Sequence, residues 1–205
     1  MTMRFKSPNG FIKTISPEAF SRLFDMHYAS KLSRPRHLPA NFIDRCKNFG
    51  RKAASNIAKR RLESYRHQIA ASHIAPTYIA KVNAVVGYGL YAYRDIQSDE
   101  MIGEYTGVLS RDWIRVVKKA EDINPYLLKY PFDSPYAIDS KDRGNAIRFI
   151  NHSSKNNNVR REYILLGGIL HIIFVSTRPI QQHGQIFLDY GNGYWRGREP
   201  VDIEP

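Results

Sequence analysis

The sequence has little cysteine and no long apolar stretch, and both shortages exclude whole classes of protein. A single cysteine, Cys46, among 205 residues cannot form an internal disulfide framework or a cysteine-rich zinc module. No apolar run reaches the length of about eighteen residues that a membrane-spanning helix needs. Residues 1–15 are mixed polar and basic, without the apolar segment of a secretory signal, so we expect a soluble protein.

Acidic residues are scarce in the first part of the chain. Residues 1–80 hold fifteen Lys and Arg against four Asp and Glu, a net charge of +11, whereas residues 81–205 hold sixteen against fifteen. The whole chain is 42% hydrophobic, which is enough for a packed core and argues against general disorder. The asymmetry therefore predicts two folded regions with different electrostatic roles.

Helical signals are frequent in the basic region. Ser16, followed by Pro17 and Glu18, is typical of a helix start. Apolar residues at helical spacing predict a second helix from about Asn41 to about Ile69. Its polar face carries eight cations, which are Arg45, Lys47, Arg51, Lys52, Lys59, Arg60, Arg61 and Arg66. That face is either an ordinary solvated surface or a site for an anionic partner, and we expect non-specific contact with DNA or chromatin through residues 41–70.

Short apolar strands replace the helical pattern from about Thr77. The pair Gly167-Gly168 separates two apolar runs and predicts a β-hairpin, because a two-residue turn of this kind needs positive φ. A helix is predicted near 111–120. The Gly87-Tyr88-Gly89 string lacks the third glycine of a dinucleotide fingerprint and continues as a strand, so a tight turn is the simpler interpretation. The motifs of metalloproteases, P-loop proteins and serine hydrolases do not occur.

Three segments, in this order and at these separations, resemble the SET-domain protein lysine methyltransferases over about residues 77–195. They are GYGLYA at 87–92 with IGEYTG at 102–107, GNAIRFINHS at 144–153, and LDYG at 188–191 with Tyr194-Trp195 close behind. The short layout looks especially like the SET-domain effectors of intracellular bacteria such as chlamydiae. The resemblance implies an α+β protein: a SET-type fold of small curved β-sheets with a C-terminal pseudoknot over 76–195, after a basic helical region over 1–75 and before a short tail over 196–205.

The resemblance also implies an activity and a set of site residues. It implies S-adenosylmethionine as cofactor and lysines of histones or histone-like basic proteins as substrates. Tyr190 matches the catalytic tyrosine and Tyr105 the channel tyrosine of the family. The implied cofactor-binding residues are Gly87, Tyr88, Gly89, Tyr126, Arg148, Asn151, His152 and Trp195, with Tyr194 as the alternative to Trp195 for stacking on adenine. Each of them also has a purely structural interpretation, as turn cap or strand aromatic.

Departures from the family pattern shape the remaining expectations. Ser154 stands where the family often has a cysteine that helps to hold zinc, so we expect no metal. Leu188 stands where Phe or Tyr tunes the number of methyl groups added. Two rival functions stay open: a nucleic-acid or chromatin-binding protein with an inactive SET-like domain, and a methyltransferase acting on a small or non-histone substrate. The effector resemblance would place the protein in the nucleus of a host cell, without a membrane partner.

Overall fold

A computed structural model describes residues 3–111, 124–132, 134–192 and 194–195. The α-helices among these residues are α1 (Pro17–Phe24), α2 (Ala40–Ala54) and α3 (Lys59–Ala70), and a 3₁₀ helix covers Ala146–Phe149. The strands are β1 (Met3–Lys6), β2 (Ile12–Ile15), β3 (His27–Tyr28), β4 (Thr77–Asn83), β5 (Gly87–Ala92), β6 (Met101–Glu104), β7 (Val108–Ser110), β8 (Leu127–Lys129), β9 (Ala137–Asp139), β10 (Arg143–Gly144), β11 (Asn151–His152), β12 (Val159–Leu166), β13 (Ile169–Ser176) and β14 (Phe187–Leu188).

The N-terminal region begins with a β-hairpin. The prediction that residues 1–75 form a helical region is therefore correct only in part. β1 and β2 pair antiparallel, and β1 also pairs in parallel with β4 where Phe5 lies opposite Ile79. This joins the start of the chain to a sheet of order β2-β1-β4-β5. The predicted helix start is confirmed, since the Ser16 hydroxyl accepts a hydrogen bond from the Ala19 N–H at the beginning of α1.

The prediction of one helix from Asn41 to Ile69 is wrong, because the helix is interrupted at 55–58, between α2 and α3. The Ser55 hydroxyl donates to the Lys52 carbonyl at 2.7 Å and so competes with the backbone ladder. The break lets each helix bury its own apolar side chains. Phe42 and Cys46 of α2 belong to the main core, whereas Tyr65 and Ile69 of α3 pack with Ile164 and Ile173.

The predicted hairpin is confirmed by β12 and β13, which pair antiparallel over eight residues each. Gly167 and Gly168 form its turn with φ of 58° and 83°, values that residues with a Cβ rarely adopt. The hairpin is the centre of a sheet of order β11-β14-β12-β13-β6. A further small sheet, of order β7-β9-β8, carries the segment around Tyr126.

The C-terminal segment is inserted between two strands that follow each other in sequence. β14 pairs in parallel with both β11 and β12, although 153–158 connects those two strands directly. The Asn158 side-chain carbonyl fixes the insertion by accepting from the Phe187 N–H at 2.9 Å. This is the pseudoknot that the resemblance implied, and the α+β class of small curved sheets is confirmed with it.

One main core connects the N-terminal region to the strands after residue 76. Phe20 of α1 is completely buried, and its ring lies 6.2 Å from that of Phe149 in the 3₁₀ helix. Most of the helix predicted near 111–120, and the tail at 196–205, lie outside the described residues. Within the described ranges, no helix has the length and apolar character needed to cross a membrane.

Candidate functional site

Tyr190 lies just after β14, where the pseudoknot brings it against the 3₁₀ helix and β11. Its hydroxyl donates to the Ile150 carbonyl at 2.7 Å, and its backbone N–H donates to His152 Nδ1 at 3.1 Å. Burial raises the pKa of Tyr190 above its usual value, and three neighbouring tyrosines act in the same direction, namely Tyr194, Tyr105 and Tyr126. The side chain is therefore a neutral phenol with a fixed orientation.

Tyr105 follows β6 and enters the same cluster from another sheet edge. Its side chain is buried, and its hydroxyl donates to the Tyr126 carbonyl at 2.8 Å. Burial raises the pKa of Tyr105 as well. Because both hydroxyl protons are used by backbone carbonyls, the oxygens of Tyr190 and Tyr105 retain lone pairs that can accept a hydrogen bond from another group. The structure thus brings together the two tyrosines that the sequence singled out.

Arg148 lies in the 3₁₀ helix and covers the Tyr126 ring at 3.5 Å from its centroid. One guanidinium nitrogen donates to the Lys141 carbonyl at 2.6 Å. The buried Nε has no hydrogen-bond partner among the described residues. A buried donor without a partner is costly, so this position suits a ligand acceptor such as a carboxylate. Arg148 and Tyr126, both predicted to line the cofactor pocket, are in direct contact.

The glycine turn and the Asn-His pair are also adjacent. Asn151 Nδ2 donates to the Tyr88 carbonyl at 3.1 Å and so connects β11 to β5. Gly87 begins β5 with a φ of +79°, in the region that favours glycine. A Cβ at Gly89 would lie 2.5 Å from Gln185 Nε2 and 3.2 Å from Asn151 Nδ2. Glycine suits position 89, because a Cβ there would require these side-chain amide groups to move.

Aromatic rings enclose the other side of His152. The Trp195 ring lies 4.9 Å from the imidazole, and the Tyr194 ring lies 4.5 Å from that of Tyr190. His152 itself is buried, and Nδ1 accepts from the Tyr190 N–H, so a neutral ring carries its proton on Nε2. Trp195 and Tyr194 are therefore both placed at the edge of the site, and the choice between them as adenine platform stays open.

Two further residues contribute to this region without any signal in the sequence. The Phe24 ring of α1 lies 5.1 Å from Tyr88 and 4.7 Å from Phe149, so the N-terminal region supports both predicted cofactor segments. Nothing in the sequence pairs Phe24 with β5. Gln185 Nε2 is buried without a hydrogen-bond partner among the described residues, and no motif pointed to it.

These features suit a ligand that has a flat aromatic group and a zwitterionic end, such as S-adenosylmethionine. Arg148 Nε and Gln185 Nε2 are buried donors without a hydrogen-bond partner among the described residues, and Asn151 adds a polar side chain next to Gly89. Trp195 and Tyr194 offer aromatic faces for stacking. Across the described ranges, no group of three or more His, Cys, Asp or Glu side chains is arranged to hold a metal ion. The expectation of a metal-free protein stays a prediction.

The sequence of this chain is similar to those of histone-lysine methyltransferases. The chain is 36% identical over 108 residues to the histone-lysine N-methyltransferase trithorax of Drosophila virilis, covering 51% of this chain and 3% of that protein. It is 28% identical over 167 residues to the H3 lysine-4 specific histone-lysine N-methyltransferase of Neurospora crassa. That match covers 79% of this chain and 12% of the relative. The chain thus spans less than a fifth of the length of either relative.

A solved structure shares the fold over 60% of this chain. It is a Chaetomium thermophilum polycomb repressive complex 2 in an autoinhibited conformation bound to S-adenosylmethionine, with 26% identity and a TM-score of 0.54, covering 60% of this chain and 16% of that one. The SET domain family matches residues 87–191, which is just over half of the chain and contains the glycine turn, the Asn-His pair and Tyr190. The chain therefore belongs to the SET domain family.

Proposed function

We propose that this chain transfers a methyl group from S-adenosylmethionine to lysine side chains of histones or histone-like basic proteins. The observation that carries the proposal is the pair of tyrosine hydroxyls, Tyr190 and Tyr105, whose protons are used by backbone carbonyls inside a SET domain. The names of the relatives and the cofactor in the similar structure support the same activity. These relatives do not identify the substrate protein of this chain, the lysine that is modified or the number of methyl groups added.

The cofactor-binding role is proposed for the residues around the glycine turn. Asn151 and Gln185 offer amide groups, and Arg148 Nε offers a donor for the carboxylate of an amino acid end. Trp195, with Tyr194 as the alternative, offers an aromatic face for adenine. When bound, S-adenosylmethionine supplies a methyl group that its sulfonium makes electrophilic.

The tyrosine pair is suited to presenting a neutral amine. A lysine must lose its proton before its nitrogen can attack, and burial lowers the pKa of an amine. Tyr190 and Tyr105 provide acceptor oxygens for the amine N–H groups without providing a negative charge, because burial raises the pKa of both phenols. A carboxylate in their place would favour the charged ammonium form. We therefore assign the two tyrosines to orienting the amine and excluding water.

Replacing Tyr190 by phenylalanine is the direct test. The variant removes the hydroxyl that contacts Ile150 but keeps the ring packed against His152. Transfer of a labelled methyl group to core histones should fall by about tenfold or more, while cofactor affinity measured by calorimetry stays within about twofold. Replacement of Tyr93 by phenylalanine is a matched control, because Tyr93 is exposed and lies outside the site. Unchanged turnover in the Tyr190 variant would remove Tyr190 from the mechanism.

Two rival functions make different predictions in the same assay. The basic face of α2 and α3 favours the first rival, a nucleic-acid or chromatin-binding protein with an inactive SET domain. That rival predicts no transfer to histones and no calorimetric signal with the cofactor. A methyltransferase for small or non-histone substrates predicts cofactor binding with no histone labelling. Labelling above the Tyr190→Phe background excludes both.

The cellular setting is proposed on the sequence resemblance alone. A SET protein similar to the effectors of intracellular bacteria would act after delivery into a host cell, in the nucleus where histones are. Fractionation of infected or transfected cells, with detection of the chain by antibody, tests this setting. Exclusion of the chain from the nucleus would argue against histones as its substrates.

A further inference from the structure

Within the described residues, exposed positive charge is concentrated where α2 and α3 meet. Five exposed cations occupy the last turn of α2 and the first turn of α3, and we call them the α2–α3 basic surface: Arg51, Lys52, Lys59, Arg60 and Arg61. Only 55–58 separates the two helices, so their ends lie within about 18 Å of each other. All five exposed cations therefore lie within a short distance of this helix junction.

Little acidic charge compensates this surface within the described residues. Asp44 and Glu63 are the acidic residues of 40–70, and they pair with Lys47 and Arg66 instead. Arg61 lies 3.2 Å from Asp99, so it is partly neutralised. Lys52, Lys59 and Arg60 form no ion pair within the described part of the chain.

Helix stability does not explain the cations of α3. Cations stabilise the carboxyl end of a helix, which accounts for Arg51 and Lys52, but they destabilise the amino end. Lys59, Arg60 and Arg61 occupy the amino end of α3, where no acidic residue is present and Ala58 provides no side-chain cap. Three cations therefore stand where helix electrostatics opposes them, and an anionic partner would remove that opposition.

The surroundings of the surface indicate which anion it fits. The exposed large apolar residues of the described chain are Phe11, Leu23, Val85, Tyr93 and Val108, all outside α2 and α3. Membrane-surface helices combine cations with an apolar face, and single-stranded nucleic acid is bound by aromatic stacking, so neither partner is matched. A duplex backbone requires cations alone.

We propose that the α2–α3 basic surface binds the phosphates of duplex DNA without sequence preference. The choice of DNA over duplex RNA rests on the proposed function, because histones are packed on DNA. Binding itself does not depend on methyl transfer, so it is measured without cofactor and its failure would leave that activity untouched.

A charge reversal with a matched control tests the proposal. The test variant carries Lys59→Glu and Arg60→Glu; the control carries Lys6→Glu and Lys13→Glu, which make the same charge change at exposed positions of the β1–β2 hairpin. Fluorescence anisotropy measures the full chain on two unrelated 20-base-pair duplexes between about 50 and 200 mM salt. We expect both duplexes to bind the wild type equally. The test variant should bind at least about tenfold more weakly, and its plot of log binding constant against log salt concentration should be shallower by about two units. The affinity of the control should stay within about threefold of the wild type.

Thermal unfolding without DNA separates lost contacts from lost structure. Reversing charges at the amino end of α3 should raise the melting temperature of the test variant by about 1 to 4 °C, because carboxylates suit that end. A lower melting temperature would overturn the electrostatic argument. An equal loss of DNA affinity in both variants would mean that binding depends on net charge alone, which would overturn the proposal. Tighter binding to single strands, duplex RNA or phosphatidylserine vesicles than to duplex DNA would also overturn the proposal.

Discussion

Replacing Phe20 by alanine perturbs the N-terminal region at its most buried ring and measures how far that region is part of the SET domain. The ring is 0% exposed and lies 4.9 Å from Phe24, 5.3 Å from Tyr28 and 6.2 Å from Phe149. Removing a buried phenylalanine ring costs about 3 to 5 kcal/mol, because the lost transfer energy and the cavity add. This is a large share of the roughly 5 to 15 kcal/mol that stabilises a typical domain.

Thermal or urea unfolding should show one cooperative transition in the wild type and in the variant. For a chain of this size the cost corresponds to a fall in melting temperature of about 6 to 20 °C. Phe11→Ala is the matched control, since Phe11 is 73% exposed and belongs to the same region. We expect its melting temperature to change by no more than about 2 °C.

The cofactor site should respond together with the fold. Phe149, which touches Phe20, directly precedes the residue whose carbonyl accepts the Tyr190 hydroxyl. Two separate transitions, with the second at the wild-type temperature and with cofactor binding retained, would refute the argument. That outcome would mean that the division at residue 75 separates two independently folding units.

Further predictions concern the site, the core and metal. Asn151→Ala and His152→Ala should each weaken cofactor binding by calorimetry, and unchanged dissociation constants in both would mean that the pocket is misplaced. Gly50→Ala should lower stability by about 1 to 2 kcal/mol despite better helix propensity, because the new Cβ would lie 2.7 Å from Leu165 Cβ; a higher melting temperature would contradict this. Burial raises the pKa of Cys46 to about 11, so its thiol should resist alkylation at pH 8 until the protein unfolds, and rapid labelling of the folded protein would refute that burial. Strong chelators should change neither melting temperature nor activity, whereas stoichiometric zinc by elemental analysis would contradict the expected absence of metal.

Local patterns in the sequence predicted the elements whose geometry is set by neighbouring residues. The Gly167-Gly168 pair predicted its hairpin because positive φ is a property of those two residues. Ser16 predicted the start of α1 because a cap needs only one side chain and a nearby N–H. The order of the GYG, NHS and DYG strings predicted the SET domain through a family resemblance, which the family match confirms, whereas the roles of the site residues stay predictions.

Long-range contacts decided what the sequence could not. The first residues of the chain have no clear local strand pattern, and they form a strand because β1 pairs with β4. The helical pattern over 41–69 is continuous in the sequence, but α2 and α3 pack into different clusters and the helix is interrupted between them. Insertion of β14 between β11 and β12 placed the Tyr190 hydroxyl 2.7 Å from the Ile150 carbonyl across forty positions of sequence. Local propensity determines turns and caps, but which hydroxyl meets which carbonyl depends on burial of side chains that are distant in the chain.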